Sequence, residues 1–190
     1  EDLAVTAVWG TQQVNLWSGG KYDGVFGIWY GKGPGVDRSG DAIKHLNYDG
    51  TSQYGGVLLV AGDDHGAKSS TLPHQSEPAF MAAGVPVFHP AGVQEYLDLG
   101  LHGFAMSRFS GCAVGFKAVG ETVESSASVN IDPEAVQIAK QIDFHMPDGG
   151  LNLRYPDGVM EKESRLLEHK LPAAQAYVRA NGLDKLIFDS

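Results

Sequence analysis

The sequence predicts an α/β fold with a mostly parallel sheet and helices on both faces. Four apolar runs, each short enough to be a strand, alternate with segments of helical periodicity. Strands buried on both faces of a parallel sheet have this continuous apolar character. In addition, 25 of the 190 residues are glycine, and they separate the apolar runs. This distribution indicates many turns rather than a repetitive sequence.

The first part of the chain predicts a helix followed by two strands. The acidic pair Glu1-Asp2 suits a helix N-terminus, and apolar residues follow it at helical spacing. The apolar runs 24–30 and 57–61 are the two strands. Between them, residues 31–56 predict a long glycine-rich connection with at most one short helix, near residues 41–46.

The next part predicts two further strand and helix pairs. Residues 62–76 form a long loop, and 77–83 a helix with a serine cap and a proline in its first turn. Residues 85–89 are a short strand. Apolar residues spaced by three and four then predict a helix from 93 that stops near a glycine at 111, before a fourth strand at 112–119.

The tail, residues 131–190, has a different character. Its proline, aspartate and glycine content predicts an irregular excursion over 141–158. Residues 160–181 predict a helix that Pro172 kinks or restarts. Residues 186–188 are a last strand or the beginning of a linker. The tail belongs to the same domain or to its edge.

Composition excludes several classes of function. The net charge of −9 argues against a nucleic-acid surface, and no apolar run approaches the roughly 18 residues of a membrane span. Cys112 is the single cysteine and lies within an apolar run. A disulfide framework or an iron–sulfur cluster held by this chain alone is therefore excluded.

The stretch "GDDHGAKSST", residues 62–71, is nearly a phosphate-binding P-loop. Ala67 replaces the second glycine of that motif, which the backbone needs in order to turn its N–H groups inward. Pro73 opposes a helix starting at Lys68-Ser69, and the pair Asp63-Asp64 would repel a polyphosphate. We expect a polar strand-end loop and not a nucleotide site.

Other short motifs are weak. The segment Gly31–Gly35 follows a strand but has the spacing G-x-G-x-G, not that of a dinucleotide fingerprint. Asp64, His65 and His74 could hold a metal, although their spacing matches no familiar zinc motif. Ligands of open parallel sheets bind beyond the carboxyl ends of the strands. Here the loops at those ends begin at the following residues: Gly31, Gly62, His89 and Gly120.

Several long runs resemble one enzyme family in register. They include "EDLAVTAVWGTQQ", "GVFGIWYGKGPGVDRSGD", "AGDDHGAKSSTLPHQSE", "PVFHPAGVQEYLDLGL", "SGCAVGFKAV" and "ETVESSASV". The family is the fused indolepyruvate ferredoxin oxidoreductases, within the 2-oxoacid:ferredoxin oxidoreductase superfamily. The resemblance implies the pyrimidine module of a thiamine-diphosphate-binding fold, N-terminally truncated, over residues 1–130. Residues 131–190 then hold the excursion, a C-terminal helix and the start of a linker.

The resemblance also implies a cofactor and its ligands. Thiamine diphosphate would lie between this domain and a diphosphate-binding domain of the same or a second protomer. That partner would hold Mg²⁺ and the diphosphate through a G-D-G motif, which this chain lacks. Glu1 corresponds to the catalytic glutamate that contacts the cofactor's aminopyrimidine. We also assign Gly33 and Gly35 to cofactor binding.

The implied reaction is oxidative decarboxylation of indolepyruvate or related aryl 2-oxo acids to acyl-CoA. Electrons would pass to ferredoxin through iron–sulfur clusters elsewhere in the polypeptide. Arg38 corresponds to an arginine that binds the substrate carboxylate, although a surface ion pair explains it equally well. His65 is a second candidate for substrate binding. We expect a cytoplasmic homo-oligomer, and no turnover by the isolated chain.

Two alternatives remain at this point. The chain could be a non-catalytic α/β module that serves as an assembly interface of the same complex. It could also be a metal-dependent hydrolase that uses Asp64, His65 and His74.

Overall fold

A four-stranded, all-parallel sheet forms the centre of the chain in the computed structural model, which describes residues 1–132, 134–155 and 157–184. The strand order is β1-β2-β4-β3, and Ile28, Leu58 and Val114 lie side by side in register across three strands. The predicted α/β class is therefore confirmed. The strands are β1 (Phe26–Lys32), β2 (Gly56–Asp63), β3 (Val87–Phe88) and β4 (Val114–Val119).

Helices flank this sheet on both sides. A 3₁₀ turn at Val14–Leu16 follows the first of them, and a π-helical turn at Leu166–Lys170 joins the last two. The α-helices in the described part of the chain are α1 (Asp2–Gln12), α2 (Gly33–Arg38), α3 (Gly40–Asp49), α4 (Glu77–Ala82), α5 (Val93–Ser110), α6 (Gly120–Val123), α7 (Val159–Arg165) and α8 (Leu171–Ala180). None of them is long and apolar enough to cross a membrane.

Two apolar cores lie on the two faces of the sheet. On the first face, α1, α2, α3 and α4 pack against Trp29, Leu59 and Ala61. On the second face, α5 and α8 pack against Leu58 and Phe116. The C-terminal helix α8 thus shares a core with the sheet.

The second face is open over the edge strand β1. Phe26, Ile28 and Tyr30 point to this face and are 56%, 56% and 81% exposed. Helix α5 packs on the first of them, with the ring centroids of Phe104 and Phe26 4.8 Å apart. Helices thus lie on both faces of the sheet as predicted, but the second face of β1 is left largely open, because α5 and α8 pack on β2 and β4.

The connection between β1 and β2 differs from the prediction. It contains two helices, α2 and α3, rather than at most one short helix. Pro34 does not prevent the first of them, because it lies in the first turn of α2, where its missing N–H costs little. The long loop predicted at 62–76 begins at residue 64, because β2 continues to Asp63. The predicted helix stop near Gly111 is confirmed, and Gly111 has the left-handed φ of 73° typical of a helix end.

The C-terminal helix contains the break predicted at Pro172. The π-helical turn ends two residues before this proline, which lacks the N–H that would continue the regular hydrogen-bond pattern. Within that turn, the Lys170 ammonium is buried and donates to the carbonyl oxygens of Asn47 and Tyr48 at 3.2 and 3.0 Å. These carbonyls belong to the last turn of α3, so Lys170 fixes the C-terminal helix to the body of the domain. The strand or linker predicted at 186–188 lies outside the described residues.

Candidate active-site cleft

A cleft of about 520 Å³ opens at the carboxyl ends of β1, β2 and β4. Three of the predicted loop starts, Gly31, Gly62 and Gly120, line it, whereas His89 does not. Tyr30 and Val60 provide apolar wall. The position is the one at which parallel sheets bind ligands, and the mixture of apolar wall and a few charged groups is typical of small-molecule sites.

Glu1 stands at the edge of this cleft. It immediately precedes α1, and its carbonyl oxygen accepts hydrogen bonds from the indole nitrogen of Trp29 at 3.2 Å and from the amide of Val5 at 3.1 Å. Trp29 is buried in the core beneath. The backbone of Glu1 is thus anchored, while its side chain is about half exposed and lines the cleft.

Arg38 lies beside Glu1 rather than in the cleft. Its Nε atom is 3.9 Å from the Glu1 carboxylate, and its side chain is exposed. Gly35 makes room for this arrangement, because a Cβ atom there would stand 3.1 Å from Cγ of Glu1. The structure therefore brings Glu1, Arg38 and Gly35 together, with the arginine directed at the glutamate.

Gly33, the other glycine assigned to cofactor binding, contacts a side chain of the same chain. A Cβ atom at Gly33 would lie 2.4 Å from Cβ of His74, so only glycine fits. The His74 ring is in turn 3.7 Å from the carboxylate of Asp37. Neither Gly33 nor Gly35 lines the cleft. Both permit close packing next to it.

The loop at 62–71 forms an anion cradle that its own aspartate fills. Ala67 adopts a left-handed φ of 50°, the conformation for which a P-loop uses glycine. The amides of Lys68 and Ser69 turn inward and donate to the carboxylate of Asp64 at 2.9 and 2.7 Å. These hydrogen bonds, that from Ser69 first, lower the pKa of Asp64. The missing glycine did not prevent the turn, but Asp64 occupies the place of a phosphate.

His65 is exposed in the same loop and does not line the cleft. In the three described ranges, no group of three or more His, Cys, Asp or Glu residues is arranged to hold a metal ion. Asp64, His65 and His74 are thus not gathered into a metal centre there.

A buried charge cluster, which the sequence reasoning missed, supports the loop from below. Lys117 projects from the middle of β4 and is 3% exposed. Its ammonium is 3.6 Å from the carboxylate of Asp63 and donates to Glu77. Asp63 also accepts hydrogen bonds from the amide and hydroxyl of Ser76, at 2.8 and 2.6 Å. The cluster ties both ends of the loop, Asp63 and Ser76, to the sheet.

Glu77 is ionised in this cluster. Partial burial is the largest single influence and opposes its ionisation, but the hydrogen bond from Lys117, a backbone hydrogen bond and the positive charge of Lys117 act together against it, and the pKa of Glu77 is lowered. A lone lysine inside the apolar run of β4 is the sequence pattern that could have indicated a buried ion pair.

Lys32 is a further cleft residue that was not assigned a role. It ends β1, and its ammonium donates to the carbonyl oxygen of Ser69 at 2.7 Å. Its place directly after an apolar strand could have identified it.

Comparisons of the chain with family models, with curated proteins and with solved structures found no significant match.

Proposed function

We propose that this chain is the pyrimidine-binding domain of a thiamine-diphosphate-dependent oxidoreductase. The enzyme would oxidatively decarboxylate indolepyruvate or related aryl 2-oxo acids to acyl-CoA in the cytoplasm and pass electrons to ferredoxin. The iron–sulfur clusters, the coenzyme A site and the Mg²⁺–diphosphate site belong to other domains. The proposal rests on the resemblance of the sequence runs, with the geometry of Glu1 as its structural support.

The observation that carries the proposal is the position of Glu1. The carboxylate at the start of helix α1, which packs beside the sheet, reaches the cleft at the carboxyl ends of the strands. An aminopyrimidine ring needs such a carboxyl group at a ring nitrogen and apolar surface on its faces. The cleft offers both, since Tyr30 and Val60 lie in the same wall as Glu1. These residues fit the ring.

The residues of this chain would hold a proton at the cofactor ring and keep the Glu1 side chain in position for that role. When bound, thiamine diphosphate supplies a thiazolium carbon that serves as a nucleophile toward a 2-oxo acid. Glu1 would hold a proton at the ring nitrogen of the aminopyrimidine, which is a role in general acid–base catalysis. Trp29 fixes the backbone of Glu1, and the guanidinium of Arg38 lies 3.9 Å from its carboxylate.

The open face of β1 supports the proposed partner domain. Ile28 and Tyr30 are large, exposed and apolar, and Tyr30 belongs to both this face and the cleft. Contiguous exposed apolar surface marks interaction sites in soluble proteins. A diphosphate-binding domain seated there would cover the face and close the cleft from one side.

The experiment is Glu1→Gln in the full-length polypeptide that contains this chain. We expect the rate of indolepyruvate-dependent dye reduction to fall by about 100-fold or more, because general acid–base groups contribute on this scale. Asp2→Asn is the matched control, since it removes a neighbouring negative charge from the same helix start. It should retain activity.

The same experiment separates the alternatives. Unchanged activity in Glu1→Gln would favour the non-catalytic assembly module. The hydrolase would require a stoichiometric metal, which elemental analysis of the isolated chain would detect. For the isolated chain we expect no turnover and little thermal stabilisation by thiamine diphosphate with Mg²⁺, because the diphosphate ligands are on another domain.

A further inference from the structure

The cations around the cleft differ in whether they are already paired. Arg38 lies 3.9 Å from the carboxylate of Glu1, and Lys68 lies 3.5 Å from that of Glu121. Within residues 1–132, 134–155 and 157–184, no carboxylate oxygen lies within 4.0 Å of the Lys32 ammonium. Lys32 is thus the cleft cation that lacks a directly paired carboxylate in this part of the chain.

The side chain of Lys32 is nevertheless held in place. Its ammonium donates one hydrogen bond to the Ser69 carbonyl at 2.7 Å, which leaves two N–H donors for another acceptor. Asp64, a carboxylate in the same cleft lining, is engaged by the amides of Lys68 and Ser69. A positioned ammonium with free donors is suited to a small carboxylate ligand.

Lys32 lies in the same cleft as the apolar wall and Glu1. Tyr30, two residues earlier on the same strand, provides an exposed aromatic ring, and Val60 extends the apolar wall. Glu1 lines the same cleft. A carboxylate held at Lys32 would therefore leave the reacting carbonyl within the cleft that Glu1 lines.

We propose that Lys32, and not Arg38, binds the carboxylate of the 2-oxo acid, and that Arg38 is a positioning residue for Glu1. This inference rests on the proposed function. It differs from the role that the family resemblance implies for Arg38, because the guanidinium is directed at Glu1 and lies outside the cleft lining.

The test uses the full-length enzyme with Lys32→Gln, which keeps a hydrogen-bond donor for Ser69 but removes the charge. We expect the KM for indolepyruvate to rise about 10- to 100-fold, because a hydrogen bond to a charged group usually contributes binding free energy on this scale. The kcat should be nearly unchanged. Lys32→Arg should recover most of the loss. Arg38→Gln should lower kcat and leave KM within about twofold. Lys68→Gln, whose cation is paired with Glu121, is the matched control.

Binding provides a readout that is independent of turnover. Isothermal titration of the wild-type enzyme with indole-3-propionate, which has the carboxylate but no keto group, should give a Kd that Lys32→Gln weakens about 10-fold or more. Indole-3-propionamide lacks the charge, so its Kd should be the same for both proteins. Equal melting temperatures of the variants would show that the substitution does not destabilise the fold.

The outcomes distinguish this inference from the proposed function. If the wild-type enzyme oxidises indolepyruvate and Lys32→Gln changes neither KM nor the propionate Kd, Lys32 is not the carboxylate site, whereas the function stands. If the wild-type enzyme has no 2-oxo-acid activity but still binds the propionate in a Lys32-dependent manner, the carboxylate site stands and the proposed function does not. An increase of KM in Arg38→Gln alone would restore the carboxylate to Arg38.

Discussion

Removing the buried ammonium of Lys117 should destabilise the domain more than any surface change. The Lys117→Met variant leaves the Asp63 carboxylate, whose side chain is fully buried, without its counter-charge. Breaking a buried ion pair from one side costs about 3–5 kcal/mol. We expect the lower end, about 3 kcal/mol, because Ser76 still donates two hydrogen bonds to Asp63 and the exposed part of Glu77 can be hydrated.

The assay is equilibrium unfolding in urea or guanidinium, with the melting temperature as a second measure. For a domain of this size, about 3 kcal/mol corresponds to a decrease of roughly 6–12 °C. The double variant Asp63→Asn with Lys117→Met removes both buried charges and should recover at least half of the loss. A loss below about 1 kcal/mol in Lys117→Met, or no recovery in the double variant, would refute the reasoning that the charges of this cluster depend on each other.

Two further predictions concern the C-terminal helix and the cradle loop. Burial lowers the pKa of Lys170 from 10.5 to about 8, although Cys112, Asp49 and Asp157 oppose the shift. Between these pH values the unfolded chain binds one more proton than the folded chain, so the free energy of unfolding of the wild-type protein should rise with pH relative to that of Lys170→Met, by roughly 2–3 kcal/mol from pH 8 to 10.5. A difference between the two proteins that stays constant in urea titrations across this pH range would contradict the prediction. Ala67→Gly should raise the free energy of unfolding by about 0.5–1 kcal/mol, because glycine adopts the left-handed φ of 50° without strain. The variant should still not bind ATP in a fluorescent-nucleotide titration. A variant that is destabilised, or that binds the nucleotide, would show that the cradle is not arranged as described.

The strands and the long helices could be predicted because their patterns are local. The apolar run of β2 and the periodic apolar residues of α5 each depend on a few consecutive positions. Helix α2 was missed because its glycines and Pro34 disfavour a helix locally, while packing of Gly33 on His74 and of Gly35 on Glu1 supports one. Such contacts join distant parts of the chain and have no local pattern.

The candidate site likewise has some features that local sequence patterns predict and others that depend on contacts between distant residues. The strand-end rule located the cleft and three of its loops, Gly31, Gly62 and Gly120. The pairing of Lys117 with Asp63 and Glu77 joins residues 40 or more positions apart. The Arg38 side chain approaches Glu1 from the end of helix α2, which the sequence did not predict. The P-loop-like stretch 62–71 shows the same limit. Its residues argued against a nucleotide site, but only the hydrogen bonds of the structure show that the Asp64 carboxylate fills the cradle.

The proposed role of Glu1, activation of a cofactor in the cleft, is tested most directly by one paired measurement. The full-length Glu1→Gln variant is compared with the wild-type enzyme for thiamine diphosphate binding by titration and for indolepyruvate-dependent dye reduction under anaerobic conditions. We predict a Kd for the cofactor within about tenfold of the wild-type value and a rate at least 100-fold lower. Wild-type activity in the variant would contradict the assignment of Glu1.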